Sequence, residues 1–202
     1  MKTCSRCTEA FTCAHKPAVG RGDMEPQVIV VFHTRNQFSR DPDRILEMRR
    51  TIRELYEIER GIYHTYLVRC QAVVCSKRKS KGALLEGIVI NEDNTCLFTG
   101  ALCDGVELEP DDNDATNCIR FLLEEVAILQ PQIIIGVGET VSRYLFQAYG
   151  LLDLLSMRFD EVKNKPYCSD RLWVVPVDAP ETEFDNPFRQ LKSCFKVIQG
   201  QS

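Results

Sequence analysis

The hydrophobic positions of the chain fall into two patterns that alternate along the sequence. Short, continuous apolar runs rich in β-branched residues predict strands that are covered on both faces of a sheet. Longer segments with apolar residues every three or four positions predict amphipathic helices. The strands are predicted at 27–32, 61–70, 133–135 and 171–177, and the helices at 41–59, 115–130 and 187–198. This alternation predicts an α/β sandwich.

The stretch 115–144 shows the alternation most clearly. Asp114 is a suitable N-cap for its first helix, because the carboxylate can accept hydrogen bonds from the free amides of the first turn. Pro131 ends that helix, and the buried strand 133–135 follows. Gly138 then allows a tight turn into a second helix. We expect the chain to be organised around this strand.

Length and composition favour one domain with a substantial core. The 202 residues are 44% hydrophobic and 27% charged, as in an ordinary globular chain. No apolar run approaches the roughly 20 residues of a membrane span, and the first residues lack the apolar core of a signal peptide. We therefore expect a soluble, cytoplasmic protein with no membrane partner. The net charge of -4 gives no general attraction for nucleic acid, so such binding needs a local basic patch.

The chain contains ten cysteines, which is unusual for an intracellular protein of this size. A disulfide framework suits small secreted domains, so metal or cluster ligation is favoured, with some thiols filling the core. Cys4 and Cys7 form a C-x-x-C pair, whose two thiolates lie close enough to share a metal ion or a cluster. These residues alone leave zinc and iron-sulfur ligation both open.

Two polar segments are candidate binding loops. The loop 33–37 follows the first predicted strand, and ligands of open α/β sheets bind at the carboxyl ends of strands. Its candidate site residues are His33, Arg35 and Asn36. The densest basic run, 76–81, is a candidate phosphate-binding loop through Lys77, Arg78, Lys79 and Lys81. For both segments, an ordinary solvated loop is the competing interpretation.

The motifs together resemble the uracil-DNA glycosylase superfamily, in its branch that carries a 4Fe-4S cluster. The N-terminal C-x-x-C precedes a V-I-V-V strand, and the second strand ends in Val68-Arg69-Cys70, where that branch has V-K-C. Cys118 opens a helix that ends at a proline before an apolar strand and a glycine. The last strand runs into a loop that ends in Pro180. The resemblance covers nearly the whole chain apart from an insertion.

The resemblance implies a three-layer α/β/α sandwich with a central, mainly parallel sheet. It implies a single domain over 1–202, with a cysteine-rich arm at 1–24 and an insertion at about 76–113. The implied cofactor is a 4Fe-4S cluster, with zinc as the alternative, and the implied ligands are Cys4, Cys7, Cys70 and Cys118. Because the insertion separates the last two ligands, Cys75, Cys96 and Cys103 are alternative ligands.

The catalytic motifs of that family are altered in this chain. His33 stands where the resemblance places an acidic residue, and Tyr66 stands where it places the uracil-contacting asparagine. The late H-P motif, whose histidine stabilises the leaving uracil anion, is Ala179-Pro180 here. The neighbouring Asp178 would repel an anionic base.

The sequence therefore predicts a non-catalytic, glycosylase-like iron-sulfur protein. We expect it to bind nucleic acid, DNA more than RNA, or to serve in a nucleoprotein complex with a protein partner on the 82–113 insertion. The alternative is an active base-excision glycosylase with altered specificity, in which His33 or Asp178 is catalytic. A dinucleotide-binding fold built on Gly138 is disfavoured, because Val141 stands where that fingerprint needs glycine or alanine.

Overall fold

The computed structural model describes residues 18–58, 61–70, 73–74, 102, 106–107, 109–180 and 186–200. Within these residues the chain forms two compact units. The larger unit contains the described residues of 20–67 and 121–202, and the smaller unit contains those of 18–19 and 68–120. The single domain expected from the sequence stays a prediction.

The strands are β1 (Arg21–Gly22), β2 (Pro26–Phe32), β3 (Gly61–Tyr66), β4 (Val73–Val74), β5 (Val106–Glu107), β6 (Ile133–Val137), β7 (Tyr167–Ser169) and β8 (Leu172–Val177). Six of them form the main sheet of the larger unit, in the order β1-β3-β2-β6-β8-β7. The four inner strands are parallel, and the two edge strands run antiparallel to their neighbours. Strands β4 and β5 form an antiparallel pair in the smaller unit. The predicted α/β class and mainly parallel sheet are confirmed.

The α-helices of the described residues are α1 (Gln37–Arg40), α2 (Pro42–Tyr56), α3 (Asp112–Leu129), α4 (Glu139–Ala148), α5 (Phe159–Val162) and α6 (Lys192–Gly200). Two 3-10 helices span Leu152–Ser156 and Pro187–Leu191. The predicted closing helix therefore starts with a 3-10 turn. The predicted second strand is shorter than expected, because β3 ends at Tyr66. Most of the insertion predicted at about 76–113 lies outside the described residues.

The N-cap of α3 is Asp111, and the sequence prediction of Asp114 is wrong. The Oδ1 atom of Asp111 accepts a hydrogen bond from the Asp114 amide at 2.9 Å, and Oδ2 of Asp114 accepts one from the Asp111 amide at 3.2 Å. The two aspartates form a reciprocal capping arrangement, in which Asp114 occupies the third helical position. Several acidic residues precede this helix, so residue type alone did not select the cap.

Helices cover both faces of the sheet in the larger unit. Side chains alternate along a strand, so Tyr63 and His64 of β3 face opposite sides. The Tyr63 hydroxyl donates to the Glu125 carboxylate of α3 at 2.8 Å. On the other face, Nη2 of Arg49 in α2 lies 3.2 Å from Nδ1 of His64. Helices α2 and α3 therefore lie on opposite faces of the sheet.

His64 is a neutral base in the core. Its side chain is 2% exposed, and its Nδ1 accepts from Arg49, since a guanidinium can only donate. Burial, and then the charges of Arg49 and Arg21, lower the pKa of His64 to about 4. The edge-on contacts of the His64 ring with Phe32 and Tyr66 complete this cluster.

Because the imidazole of His64 is buried, the folded protein is expected to lose stability in mild acid. An unfolded histidine titrates near pH 6.5, whereas the pKa of His64 in the folded protein is about 4. The unfolded chain therefore binds the proton first, and stability falls as the pH drops through this window. The loss at pH 5 relative to pH 7.5 is about 2 kcal/mol. Urea unfolding of the wild type and of His64→Gln at both pH values measures it, and equal pH dependence in the two proteins would contradict it.

Candidate functional site

The carboxyl edge of the main sheet contains a topological switch point between β2 and β6. Strand β2 is followed by helices that lead to β3 on one side of it. Strand β6 is followed by a helix that leads towards β8 on the other side. The chain therefore leaves two adjacent strands in opposite directions, which opens a crevice beyond their carboxyl ends. Open α/β sheets bind their ligands in such crevices.

Three residues form a row along this crevice. They are His33 after β2, Gly138 after β6 and Asp178 after β8. Val31, Gly136 and Pro176 lie side by side within the sheet, and each residue of the row follows one of them by two positions. The amide of Gly138 donates to the Val177 carbonyl at 2.8 Å, which extends the pairing of β6 and β8 to Gly138.

Gly138 forms the floor of the crevice. Its φ of 89° and ψ of 162° lie in a region that essentially only glycine adopts. A methyl group added there would meet the β-carbon of Ala179 at 3.5 Å, an ordinary contact distance. Glycine is therefore required by the backbone conformation, and the side chain of Ala179 lies at contact distance above it.

The carboxylate of Asp178 forms an ion pair with a lysine that was not predicted as a site residue. The Nζ atom of Lys163 lies 3.1 Å from each carboxylate oxygen of Asp178 and 2.8 Å from Oδ1 of Asp160. The pKa of Lys163 is raised mainly by its hydrogen bond to Asp160 and next by its hydrogen bond to Asp178. The ammonium of Lys163 is therefore charged at neutral pH. The expected repulsion of anions by Asp178 is therefore reduced, because Lys163 offsets much of its charge.

The backbone fixes Lys163 in this position. Its amide donates to the Phe159 carbonyl at 2.9 Å, and the amide of the next residue, Asn164, donates to Pro176 of β8 at 2.8 Å. Asn164 adopts a left-handed φ of 57° that permits this turn. Lys163 and Asp178 are fifteen residues apart and belong to different elements, so no local sequence pattern pairs them.

The loop after β2 carries the other predicted site residues of this edge. His33 is half-buried, with its Nε2 atom buried, and Arg35 is exposed. Asn36 caps helix α1, because its Oδ1 accepts from the Ser39 amide at 2.8 Å. Thr34 was not predicted as a site residue, although it is 9% exposed and its buried Oγ1 has no hydrogen-bond partner among the described residues.

Tyr66 does not replace the asparagine that the resemblance places at its position. It is 4% exposed, and its ring contacts Phe32 at 6.3 Å between centroids. Tyr66 lies beside Phe32 in the register, so both face the side of the sheet opposite to Val31. Tyr66 is therefore a core residue.

The two described candidate ligands for a metal or cluster belong to the smaller unit. Cys70 is half-buried, and Cys118 is 4% exposed. Their soft donor atoms fit zinc or an iron-sulfur cluster. Among the described residues, no group of three metal-binding side chains occurs. The remaining predicted ligands Cys4 and Cys7, the alternatives Cys75, Cys96 and Cys103, and the basic residues Lys77, Arg78, Lys79 and Lys81 lie outside the described residues.

The other two described thiols lie in the larger unit. Cys168 is exposed on β7, and the buried Cys194 donates through Sγ to the Asn164 carbonyl at 2.8 Å. Burial raises the pKa of Cys194. Cys194 is therefore a core thiol, in line with the expectation that some cysteines fill the core.

Comparison of the chain with protein-family models found no match, and a search of curated proteins found no match either. No helix among the described residues combines the length and apolar character needed to cross a membrane. The functional assignment therefore depends on the site and on the motifs of the chain.

Replacing Gly138 by alanine is expected to destabilise the fold by about 1–3 kcal/mol. The cause is the glycine-only backbone conformation of this residue. Gly200→Ala is the matched control, because no atom lies within 4 Å of the added methyl group and Gly200 does not have a positive φ. Urea denaturation compares the two variants. An unchanged midpoint for Gly138→Ala would contradict the assignment of a strained floor.

Proposed function

We propose that this protein is a glycosylase-like iron-sulfur module that binds nucleic acid at the carboxyl edge of its main sheet. The observation that carries the proposal is the switch-point crevice with the row His33, Gly138 and Asp178. The four parallel inner strands and the helices on both faces of the sheet support the uracil-DNA glycosylase-like architecture. In this proposal, the exposed Arg35 beside the crevice contacts the phosphate backbone.

The proposed cluster ligands are Cys4, Cys7, Cys70 and Cys118. Two facts support this set: Cys70 and Cys118 have limited exposure, and they belong to the same compact unit. A bound 4Fe-4S cluster supplies a covalent cross-link between distant segments and hence folding free energy. Zinc is the alternative metal for the same thiols.

Binding without excision of uracil is favoured by the charges at the crevice. Cleavage that releases an anionic base needs a donor or a cation placed at the developing charge. The nearest described cation to Asp178 is Lys163, whose ammonium already bonds three carboxylate oxygens. Such a group stabilises a leaving anion poorly. An excision enzyme of altered specificity, using His33 or Asp178, is the second candidate, because both residues belong to the row.

The basic run Lys77, Arg78, Lys79 and Lys81 is proposed as a second contact to nucleic acid, with DNA preferred to RNA. The insertion 82–113 is proposed to bind a protein partner. The acidic residues Glu107, Glu109, Asp111 and Asp112 near its end support a partner surface of opposite charge.

The metal content of the purified protein tests the cluster proposal. Protein purified without oxygen is expected to contain about four irons and four sulfides per chain. Cys70→Ser and Cys118→Ser should each lower this content, whereas Cys168→Ser, which alters an exposed thiol of the other unit, should not. Zinc in place of iron would select the alternative metal. Neither metal in the wild type would contradict the proposal.

The salt dependence of binding tests the proposed phosphate contacts. Fluorescence anisotropy with a labelled single-stranded oligonucleotide gives the affinity at several salt concentrations. Each lost phosphate contact should reduce the slope of log affinity against log salt by roughly 0.7. Arg35→Ala and the triple alanine variant at Lys77, Arg78 and Lys79 should show this loss. Arg171→Ala is the control, since Arg171 is exposed at the amino end of β8, and an equal loss there would contradict the assignment.

A further inference from the structure

Residues 151–159 of the larger unit form an apolar surface segment, which we call the leucine segment. It contains the 3-10 helix Leu152–Ser156 and the residues on either side of it. A helix normally buries its apolar side chains against the rest of the fold. Here none of the six apolar side chains is buried, and they are Leu151, Leu152, Leu154, Leu155, Met157 and Phe159. Contiguous exposed apolar surface of this kind marks an interaction site.

The backbone of the leucine segment is held firmly against helix α4. The amide of Leu151 donates to the Phe146 carbonyl at 2.8 Å, and Nη1 of Arg143 donates to the Leu155 carbonyl at 2.8 Å. Arg143 also pairs with Glu139 at 2.6 Å. The segment is therefore ordered through its backbone, with an ion pair at its margin, while its apolar side chains are left for another surface. An apolar centre with a polar rim is the usual anatomy of a protein interface.

Two opposite charges flank the centre of the segment. Asp153 is exposed, and its carboxylate forms no ion pair or hydrogen bond within the part of the chain that the structure describes. Arg158 is 82% exposed and lies 3.2 Å from the Glu161 carboxylate, a surface contact that contributes little. The leucine segment therefore offers a negative charge at one end and a positive charge at the other.

We propose that the leucine segment is the contact between two copies of this chain in a two-fold symmetric dimer. In such a contact, residue i of one protomer meets residue j of its partner, and j meets i. Two segments packed antiparallel, with the axis between positions 155 and 156, place Asp153 of each protomer opposite Arg158 of its partner. A parallel arrangement would place like charges opposite each other, which is repulsive.

The antiparallel register also matches the apolar positions. Leu152 of one protomer faces Phe159 of its partner, and Leu154 faces Met157, so each exposed apolar side chain gains an apolar neighbour. The leucine segment has nine residues, fewer than the roughly 20–30 residues per partner of a standard interface. The dimer is therefore weak and reversible. It does not use the crevice, so the inference is independent of the proposed function.

The concentration dependence of the molecular mass tests the dimer. Sedimentation equilibrium measures the mass of the full-length protein, purified without oxygen, from micromolar to millimolar concentrations. The absence of oxygen prevents the exposed Cys168 from forming a disulfide between two copies. The wild type is expected to change from monomer to dimer within this range.

Exchange of the two charges identifies the contact. Asp153→Arg and Arg158→Asp each turn two attractive pairs into two repulsive ones, which should raise the dissociation constant of the dimer about tenfold. The double variant Asp153→Arg, Arg158→Asp restores opposite charges and should return the dissociation constant close to the wild-type value. Residue 158 is the N-cap of α5, a position that aspartate favours, so its replacement preserves the fold.

A second pair of variants tests the apolar part of the contact. Leu152→Glu places a charge at a side chain that is 58% exposed, and it should abolish the dimer over the measured range. Ile128→Glu is the matched control, because Ile128 is 77% exposed on α3, outside the leucine segment. This variant should dimerise as the wild type does.

Each outcome has a distinct meaning. A wild type that stays monomeric at millimolar concentration would overturn the inference and leave the segment to a different protein. A dimer that Asp153→Arg and Leu152→Glu leave unchanged would also overturn it, because the two copies would then meet elsewhere. Weaker association in the single charge variants, with recovery in the double variant, supports the proposed contact, and failure to recover would overturn the antiparallel register.

Discussion

The parallel pairing of β2 between β3 and β6 is the constraint on which the rest of the structure depends. Residues 28–32 of β2 are fully buried, and such a strand requires helices on both faces of the sheet. The same register carries Val31 and Gly136 into adjacent positions, and His33 and Gly138 follow two residues later along the chain. The core packing therefore also fixes the edge of the sheet at which the candidate site lies.

The character of that site depends on a second interaction, the ion pair of Lys163 and Asp178. Without the lysine, the edge of the sheet would carry two carboxylates at Asp160 and Asp178. With it, Asp178 is oriented and only part of its charge is offset. The described charges of Asp160, Lys163 and Asp178 therefore sum to one negative charge at this edge of the sheet.

The inner strands and longer helices could be predicted from the sequence, because their apolar residues are continuous or regularly spaced. The edge strands β1 and β7 could not, since strands of two or three residues are too short to leave a hydrophobic pattern. His33 is a candidate because it follows a buried strand, and Asp178 is a candidate because the resemblance places it beside the late motif. The role of Lys163 could not be predicted, because its partner is distant in the chain. The burial of Thr34 could not be predicted, because no sequence feature indicates that a hydroxyl side chain in a loop is buried.

The most direct test of the central claim is to locate the nucleic-acid site by nuclear magnetic resonance. Amide proton and nitrogen shifts of the metal-loaded protein would be followed while a single-stranded oligonucleotide is added. We expect the largest shifts at 33–36, 138–140 and 178–180, which end β2, β6 and β8 at one edge, and little change at the opposite edge near Arg171. Shifts confined to that opposite edge, or no shifts at saturating oligonucleotide, would contradict a function based in the switch-point crevice.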